Sequence, residues 1–155
     1  MVVLHITKPL PVVHSDYLKN CRVGLMEIYR FDCRLLEKQM PEITSGCNCG
    51  ILKIASGSIN GWGEYILPCE KRNADLVQWA SVFNHLKGLS VSDALMFAES
   101  HAEAWGQDRT DLVKSALSDL AGKLYTRTLF NEPISDDEML DRSYLIDLSQ
   151  SYYAF

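Results

Sequence analysis

The hydrophobic pattern of this chain changes at Pro68. From Cys21 up to that point, apolar residues alternate imperfectly with charged ones and include many aromatic and β-branched side chains, which is typical of strands. After it, apolar residues recur at helical spacing, which is typical of amphipathic helices. A run of strands followed by a run of helices predicts an α+β fold.

Three strands are predicted in the first part. The first covers 25–34, and the second and third, 51–55 and 59–66, flank a turn at Gly57. Between the first two, Glu37–Gly46 is polar and rich in turn-forming residues, so it is predicted to be a long loop. The order of these segments predicts a three-stranded antiparallel β-meander.

Three helices are predicted after the sheet. Each begins at a residue whose side chain can cap a helix amino terminus, and two end at a glycine. The candidate caps are Asn73 or Asp75, Ser90 or Ser92, and Asp108 or Thr110, and the glycines are Gly88 and Gly106. The third helix carries a broad apolar stripe through Leu124, wide enough to contact both sheet and helices. A three-helix bundle is therefore expected.

The C-terminal residues allow two interpretations. Pro133 interrupts the third helix, and Ser135–Glu138 forms a capping box ahead of an apolar pattern, which favours a fourth helix. Ser143–Phe155 also alternates well enough to be a strand. The helix is the interpretation we favour.

Charge and length exclude several classes of protein. With 15 basic and 20 acidic residues the net charge is −5, and no basic cluster stands out, so nucleic acid is not an expected partner. No apolar run approaches the roughly 18 residues of a membrane span, and the initial MVVLHITKPLPVV lacks a basic leader, so a cytoplasmic protein is expected. The 155 residues suit one domain with a tail.

The cysteines suggest a metal alternative. Cys47 and Cys49 form a C-x-C pair, with Cys33 and Cys69 nearby in sequence, and such thiolates can share a zinc ion. The paired knuckles of structural zinc sites are missing, however, and five irregularly spaced cysteines predict reduced thiols. The H-x-E sequence at His101–Glu103 is only half of a zinc deaminase site, because no P-C-x-x-C sequence follows it.

A G-W-G-E motif, Gly61-Trp62-Gly63-Glu64, lies in the predicted third strand. Two glycines flanking a tryptophan permit a close backbone approach or a β-bulge. Trp62 is expected in the core, and Glu64, near the strand end, can face a cleft. By itself the motif favours a structural role.

Together with other segments, this motif resembles the N-terminal capping domain of the enolase superfamily, in its mandelate racemase and muconate lactonizing branch. The other segments are Met26–Arg30, Thr44–Gly46, Ile51–Ile54 and Ala116–Lys123. The resemblance covers about residues 22–131, and its most specific parts are the G-W-G-E and A-L-x-D-L-A-G-K sequences. Ser118 stands where the family commonly has tryptophan. The resemblance implies a three-stranded antiparallel sheet followed by a helical bundle.

The resemblance also implies a divided function. In such enzymes the bases that abstract a proton α to a carboxylate, and the acidic Mg²⁺ ligands, stand on a C-terminal barrel. Too few residues follow Asn131 for a barrel. The expected parts are therefore an N-terminal extension (1–21) that pairs with a sheet edge, a capping domain (22–131) and a tail (132–155). No catalytic residue, metal ligand or cofactor is expected within the chain, and Mg²⁺ is implied only with a barrel partner.

Two loops of such a cap, here Glu37–Gly46 and Glu64–Lys71, close over the barrel mouth and select the substrate. The candidate substrate-lid residues are Ile43, Thr44, Ser45, Tyr65 and Leu67. The chain would be a truncated or split part of an isomerase, inactive alone, whose partner is a barrel domain or a second copy of itself. The alternatives are a non-catalytic interaction or self-associating module on the same fold, and a zinc enzyme.

Overall fold

A four-stranded antiparallel sheet and a group of helices make up the part of the chain that the computed structural model describes, residues 18–32, 48–67, 75–130 and 142–155. The strands are β1 (Met26–Asp32), β2 (Asn48–Ser56), β3 (Ile59–Leu67) and β4 (Ser151–Ala154), in the order β3-β2-β1-β4. The helices are α1 (Leu76–Ala80), which continues as a 3₁₀ helix (Ser81–Leu86), α2 (Val91–Ser100), α3 (Ala102–Trp105), α4 (Gln107–Phe130) and α5 (Arg142–Leu148). The α+β prediction is confirmed.

The sheet corrects the prediction of three strands. The three predicted strands form β1, β2 and β3 and pair in chain order, but β4 adds a fourth strand antiparallel to β1, with Tyr153 opposite Ile28. The tail therefore contains both predicted structures, because α5 is helical and β4 is a strand. The proposed capping box at Ser135–Glu138 lies outside the described residues, and pairing of the N-terminal extension with the sheet stays a prediction.

The predicted helix boundaries agree with the structure at several ends. The Asp75 carboxylate accepts hydrogen bonds from the first turn of α1, and the Ser90 hydroxyl accepts one from the backbone N–H of Asp93. Gly88 and Gly106 each have a φ of +84°, which an L side chain rarely adopts. The second predicted helix is interrupted at His101, where α2 ends and α3 begins, and α4 runs beyond Leu124.

The long helix α4 lies against β3 and β2 on one side and against α2 and α3 on the other. The predicted broad stripe is thus buried on both sides: Leu112, Val113, Ala116, Leu117, Leu120 and Ala121 are all at most 2% exposed. None of the described helices is long and apolar enough to cross a membrane.

The two glycines of the G-W-G-E motif let α4 approach β3 closely. A Cβ at Gly61 would overlap the carbonyl oxygen of Ala116 and lie 2.7 Å from the backbone nitrogen of Leu120, and one at Gly63 would lie 2.8 Å from the carbonyl oxygen of Leu112. The predicted close approach is confirmed. The alternative of a bulge is wrong, because β2 and β3 pair without interruption from one end to the other.

Candidate functional site

The segments predicted to form the substrate lid start from one end of the sheet. The predicted loops were Glu37–Gly46 and Glu64–Lys71, but residues 64–67 of the second belong to β3. We call residues 33–47 and 68–74, which contain the remainder of these loops and lie outside the described residues, the first and second lid segments. Asp32, the last residue of β1, pairs with Asn48, the first residue of β2, and Asn48 pairs with Leu67, the last residue of β3. Because neighbouring strands lie about 4.8 Å apart, Asp32, Asn48 and Leu67, which flank these two segments in the chain, lie side by side.

Two of the five predicted lid residues lie within the described part of the chain. Three of them lie outside the described residues: Ile43, Thr44 and Ser45. Leu67 is the last residue of β3, and its backbone pairs with Asn48. Tyr65 is only 6% exposed and belongs to the hydrophobic core. Its side chain therefore supports the sheet end from within.

Tyr65 crosses the sheet surface to reach β1. Its hydroxyl donates a hydrogen bond of 3.2 Å to the carbonyl oxygen of Tyr29, two strands away, and its ring packs against Trp79 of α1 with a centroid distance of 5.3 Å. The residue opposite Tyr65 on β2 is Gly50, which leaves room for the phenol to pass. A cross-strand aromatic covering a glycine in this way also shields backbone that would otherwise be bare.

The amino terminus of α4 lies at the same end of the sheet as the lid segments. Along β3, Lys123 contacts Asn60 and Leu112 adjoins Gly63, so earlier helix residues lie closer to the Leu67 end. Arg109, in the first turns of α4, donates a 3.0 Å hydrogen bond to the carbonyl oxygen of Trp105. Its guanidinium lies 5.4 Å from the ring centroid of Trp79.

A row of aromatic rings extends from Tyr65 into the helical layer. Trp79 packs edge-on against Phe83 at 6.0 Å, and Phe83 packs edge-on against Trp105 at 5.7 Å. Edge-to-face pairs at these distances are favourable and geometrically specific. Because burial disfavours a positive charge, the pKa of Arg109 beside this row is lowered. The sheet end formed by Asp32, Asn48 and Leu67 thus has an apolar base of packed aromatic rings.

The two most specific motifs of the sequence meet at one junction. Asp119 accepts a 2.9 Å hydrogen bond from the backbone N–H of Trp62, and Lys123 donates one of 3.2 Å to the carbonyl oxygen of Asn60. Lys123 also forms an ion pair with Asp119 at 2.8 Å. Since β3 is an edge strand, these side chains pair edge backbone groups that would otherwise be open. The A-L-x-D-L-A-G-K and G-W-G-E sequences therefore share a structural role.

A buried carboxylate lies on the sheet face opposite α4. Glu27 of β1 is fully buried and accepts hydrogen bonds from Lys53 at 2.8 Å, from Tyr29 at 3.1 Å and from Tyr152 at 3.2 Å. Arg142 of α5 completes the group with an ion pair to Oε1, the carboxylate oxygen that also accepts the hydrogen bond from Tyr152. We call these five residues the C-terminal clasp, because they join α5 and β4 to β1.

The partners of Glu27 keep it charged. Burial by itself raises its pKa, but the hydrogen bonds from Lys53 and Arg142 outweigh burial, so the pKa of Glu27 lies below its ordinary value. Burial, followed by the Glu27 charge, raises the pKa of Tyr29 above its usual range. A carboxylate that stays ionised beside a phenol that stays protonated is suited to holding structure together. It is poorly suited to exchanging protons near neutral pH.

The sequence analysis did not identify the C-terminal clasp. One available signal was Glu27 itself, a charge between the apolar residues Met26 and Ile28, which strand alternation places on the face away from the core. The alternation of side chains along a strand predicts that such a residue is exposed to solvent. Only the return of residues 142–155 to β1 covers that face and supplies Arg142.

Within the described ranges, no group of three or more His, Cys, Asp or Glu side chains is arranged to hold a metal ion. Of the cysteines in the zinc alternative, Cys49 is buried on β2, while Cys33, Cys47 and Cys69 lie outside those ranges. Glu64, predicted to face a cleft, is exposed on β3. The prediction that Trp62 lies in the core is wrong, because strand alternation places it on the sheet face away from α4, where it is only partly buried. The zinc alternative remains a hypothesis.

Comparisons of the chain with models of protein families, with curated proteins and with solved structures gave no match.

Proposed function

We propose that this chain is a substrate-lid domain that works with a barrel domain, as the capping domain does in the mandelate racemase and muconate lactonizing branch of the enolase superfamily. The observation that supports this most directly is that both lid segments adjoin the same end of the sheet. Three of the four residues that flank these segments in the described ranges, Asp32, Asn48 and Leu67, pair on adjacent strands at one end of the sheet. Loops from a rigid base at one end of a domain suit the closing of a neighbouring active site.

In this proposal, the chain contributes shape and exclusion of water, and its partner contributes the chemistry. The partner barrel supplies the proton-abstracting base and the Mg²⁺ ligands, and Mg²⁺ stabilises the charge that develops on the substrate carboxylate. The most deeply buried acid of the described residues, Glu27, is already engaged by Lys53 and Arg142. Ile43, Thr44 and Ser45, with Leu67 at the base of the second segment, are the proposed selectors of substrate.

Complementation in trans tests this proposal. The full chain is mixed with a cap-deleted barrel domain of a racemase from this branch, with Mg²⁺ and a panel of dipeptides and 2-hydroxy acids in D₂O. Deuterium is expected at the substrate Cα with the mixture and not with the chain alone. A variant with Ile43, Thr44 and Ser45 all replaced by glycine is the matched control, and it should bind the barrel while changing which substrates exchange. Exchange by the chain alone, or failure to bind the barrel, would contradict the proposal.

A second candidate function, self-association through an exposed apolar surface, is favoured by one observation. Tyr144 and Leu148 are one helical turn apart on α5 and are 57% and 42% exposed. Apolar side chains that share an exposed helix face are common where a second chain binds. Sedimentation of the wild type beside a Tyr144→Ser, Leu148→Ser variant tests this. A concentration-dependent dimer that the variant loses supports self-association, and a monomer at high concentration excludes it.

A further inference from the structure

The residues from Arg142 to Phe155, which we call the C-terminal arm, are attached to one edge of the sheet. They comprise α5 and β4, and their main contacts among the described elements are with β1 and α1. Leu145 is the only fully buried residue of the arm, and all four residues of β4 are half-buried. The segments of a protein that open most readily bury few apolar side chains. The arm therefore has the character of a unit that can leave the sheet while the rest of the domain stays folded.

The outer edge of β1 is the surface that the arm covers. β4 pairs with β1 along its whole length, and the pairing continues in 3.0 Å hydrogen bonds in both directions between the backbones of Met26 and Phe155. The other edge of β1 is occupied by β2. A strand edge without a partner is a template for another extended chain. When the arm is away from it, the β1 edge is thus a binding site for a strand.

The side chains around Glu27 determine which strand fits this edge. Lys53 and Tyr29, on the sheet itself, donate to Oε2 of Glu27. Arg142 and Tyr152, both on the arm, bind Oε1. The Arg142 guanidinium also lies 5.5 Å from the ring centroid of Tyr152, so the two arm side chains are already arranged together. A strand that fits must therefore bring a cation on a preceding helix and a phenol on the strand.

Detachment of the arm costs less than the number of its polar contacts suggests. The arm covers the carboxylate of Glu27, so both Glu27 and Arg142 return to water when the arm leaves. Their recovered hydration offsets much of the lost attraction, as it does for buried ion pairs in general. The Arg142 side chain is already 54% exposed in the folded protein. The polar contacts therefore specify which strand occupies the edge more than they fix it there.

We propose that the edge of β1, together with Glu27, is a strand-binding site that accepts the C-terminal arm of a second copy of this chain in place of its own. The site and its occupant both lie within the described residues. A second copy carries the occupant that already fits, since each backbone and side-chain contact forms again unchanged. Exchange of an identical element between copies is a low-cost route to a dimer.

A labelled synthetic peptide of residues 142–155 tests the site by fluorescence anisotropy. The receiving protein is the full chain with Arg142→Ala, whose own arm lacks the cation while its β1 edge is intact. This variant should bind the wild-type peptide at least about tenfold more tightly than a peptide with Arg142→Ala, because hydrogen bonds to a charged group are strong. The wild-type chain should bind the wild-type peptide more weakly than the variant does, since its own arm competes. Equal binding by the two chains would place the peptide elsewhere and overturn the proposal.

Two controls locate the binding at Glu27. Adding Glu27→Gln to the receiving variant should reduce the preference for the wild-type peptide to less than about threefold, because the charge that Arg142 contacts is gone. A peptide with Asp147→Asn also changes by one charge, but Asp147 is exposed, so the affinity should stay within about twofold of that of the wild-type peptide. Absence of saturable binding, or equal affinities for the wild-type and Arg142→Ala peptides, would contradict the proposal.

Exchange between whole copies is measured with the Arg142→Ala chain immobilised on a surface. It should retain the full-length wild-type chain from solution, and an excess of unlabelled wild-type peptide should release that chain. Equal release by the Arg142→Ala peptide, which keeps Tyr144 and Leu148, would assign the contact to the exposed face of α5 and overturn arm exchange. No retention would overturn it as well.

Arm exchange is independent of the substrate-lid function. Neither peptide binding nor retention of the full chain requires a barrel, a substrate or Mg²⁺. A chain that exchanges arms but fails to complement a barrel would keep this inference and lose the substrate-lid function. Complementation without arm exchange would do the reverse.

Discussion

Two regions attach the sheet to the rest of the molecule by opposite means. At the junction of α4 and β3, Gly61 and Gly63 remove side chains so that two backbones approach closely. At the C-terminal clasp, Glu27 supplies a buried charge that gathers partners from β2, α5 and β4, Arg142 among them. The first region depends on space and the second on charge, so different substitutions should disrupt them.

The largest effect is expected from filling the space at the junction. Gly61→Val should destabilise the fold by more than about 3 kcal/mol, because overpacking is costly where backbone atoms, here of Ala116 and Leu120, cannot move aside. Urea unfolding monitored by circular dichroism measures this loss. Gly122→Ala is the matched control, since no atom lies within 4 Å of its Cβ position, and it should stabilise the protein by about 0.5–1 kcal/mol. A tolerated Gly61→Val would show that the close packing is not required.

The next effect is expected from removing one partner of the buried charge. Lys53→Met should cost about 3 kcal/mol, because Glu27 would stay buried with one fewer cation, and its Oε2 would keep only the hydrogen bond from Tyr29. Lys114→Met is the control. Lys114 is 42% exposed and pairs with Glu99 at 3.6 Å, so its loss should change stability by less than about 0.5 kcal/mol. Similar unfolding midpoints for both variants would mean that the clasp contributes no more than a surface ion pair.

A fall in pH should weaken the C-terminal clasp but should not affect the close packing of α4 against β3 at Gly61 and Gly63. The pKa of Glu27 is lower in the folded protein than its ordinary value of 4.5, so the unfolded chain takes up the proton first as pH falls. The stabilisation is therefore fully present above about pH 4.5 and is lost below it. Urea midpoints between about pH 7 and pH 3 should fall less steeply for Glu27→Gln than for the wild type. Parallel slopes would rule out Glu27 as a source of acid sensitivity.

The smallest effect is expected at the polar part of the junction. Asp119→Ala should cost about 1 kcal/mol, because the backbone N–H of Trp62 loses its acceptor and Lys123 loses its ion pair. Asp119→Asn keeps an oxygen acceptor for Trp62 and should recover about half of that loss. Chemical denaturation of the two variants measures the difference. Equal losses would assign the whole effect to the ion pair.

The regular parts of the fold were predictable because their causes are local. Asp75 and Ser90 cap helices through bonds to residues two or three positions away, and Gly57 at φ +60° forms the turn between β2 and β3. The fourth strand was left out of the predicted sheet because Ser151–Ala154 is only four residues long. The spacing of apolar residues in so short a run does not distinguish a strand from a helix. Its pairing with β1 is a long-range contact.

The strand ends beside the candidate site were predictable, and the side chains near them were much less so. β1, β2 and β3 end or begin at Asp32, Asn48 and Leu67, within a few residues of the limits that the hydrophobic pattern indicates. Tyr65 was predicted to belong to a loop near the substrate, yet the structure buries it against Trp79 and Tyr29. Strand alternation assigns a residue to a face of the sheet but does not specify what packs on that face.

The sequence alone determined the change from strands to helices at Pro68, the helix caps and the need for small residues at Gly61 and Gly63, because local backbone preferences and hydrophobic spacing control them. Only the tertiary structure decided the burial of Glu27 and the place of Tyr65. These depend on which distant elements come to lie beside β1, and a hydrogen bond between residues as far apart as Glu27 and Arg142 leaves no periodic trace in the chain.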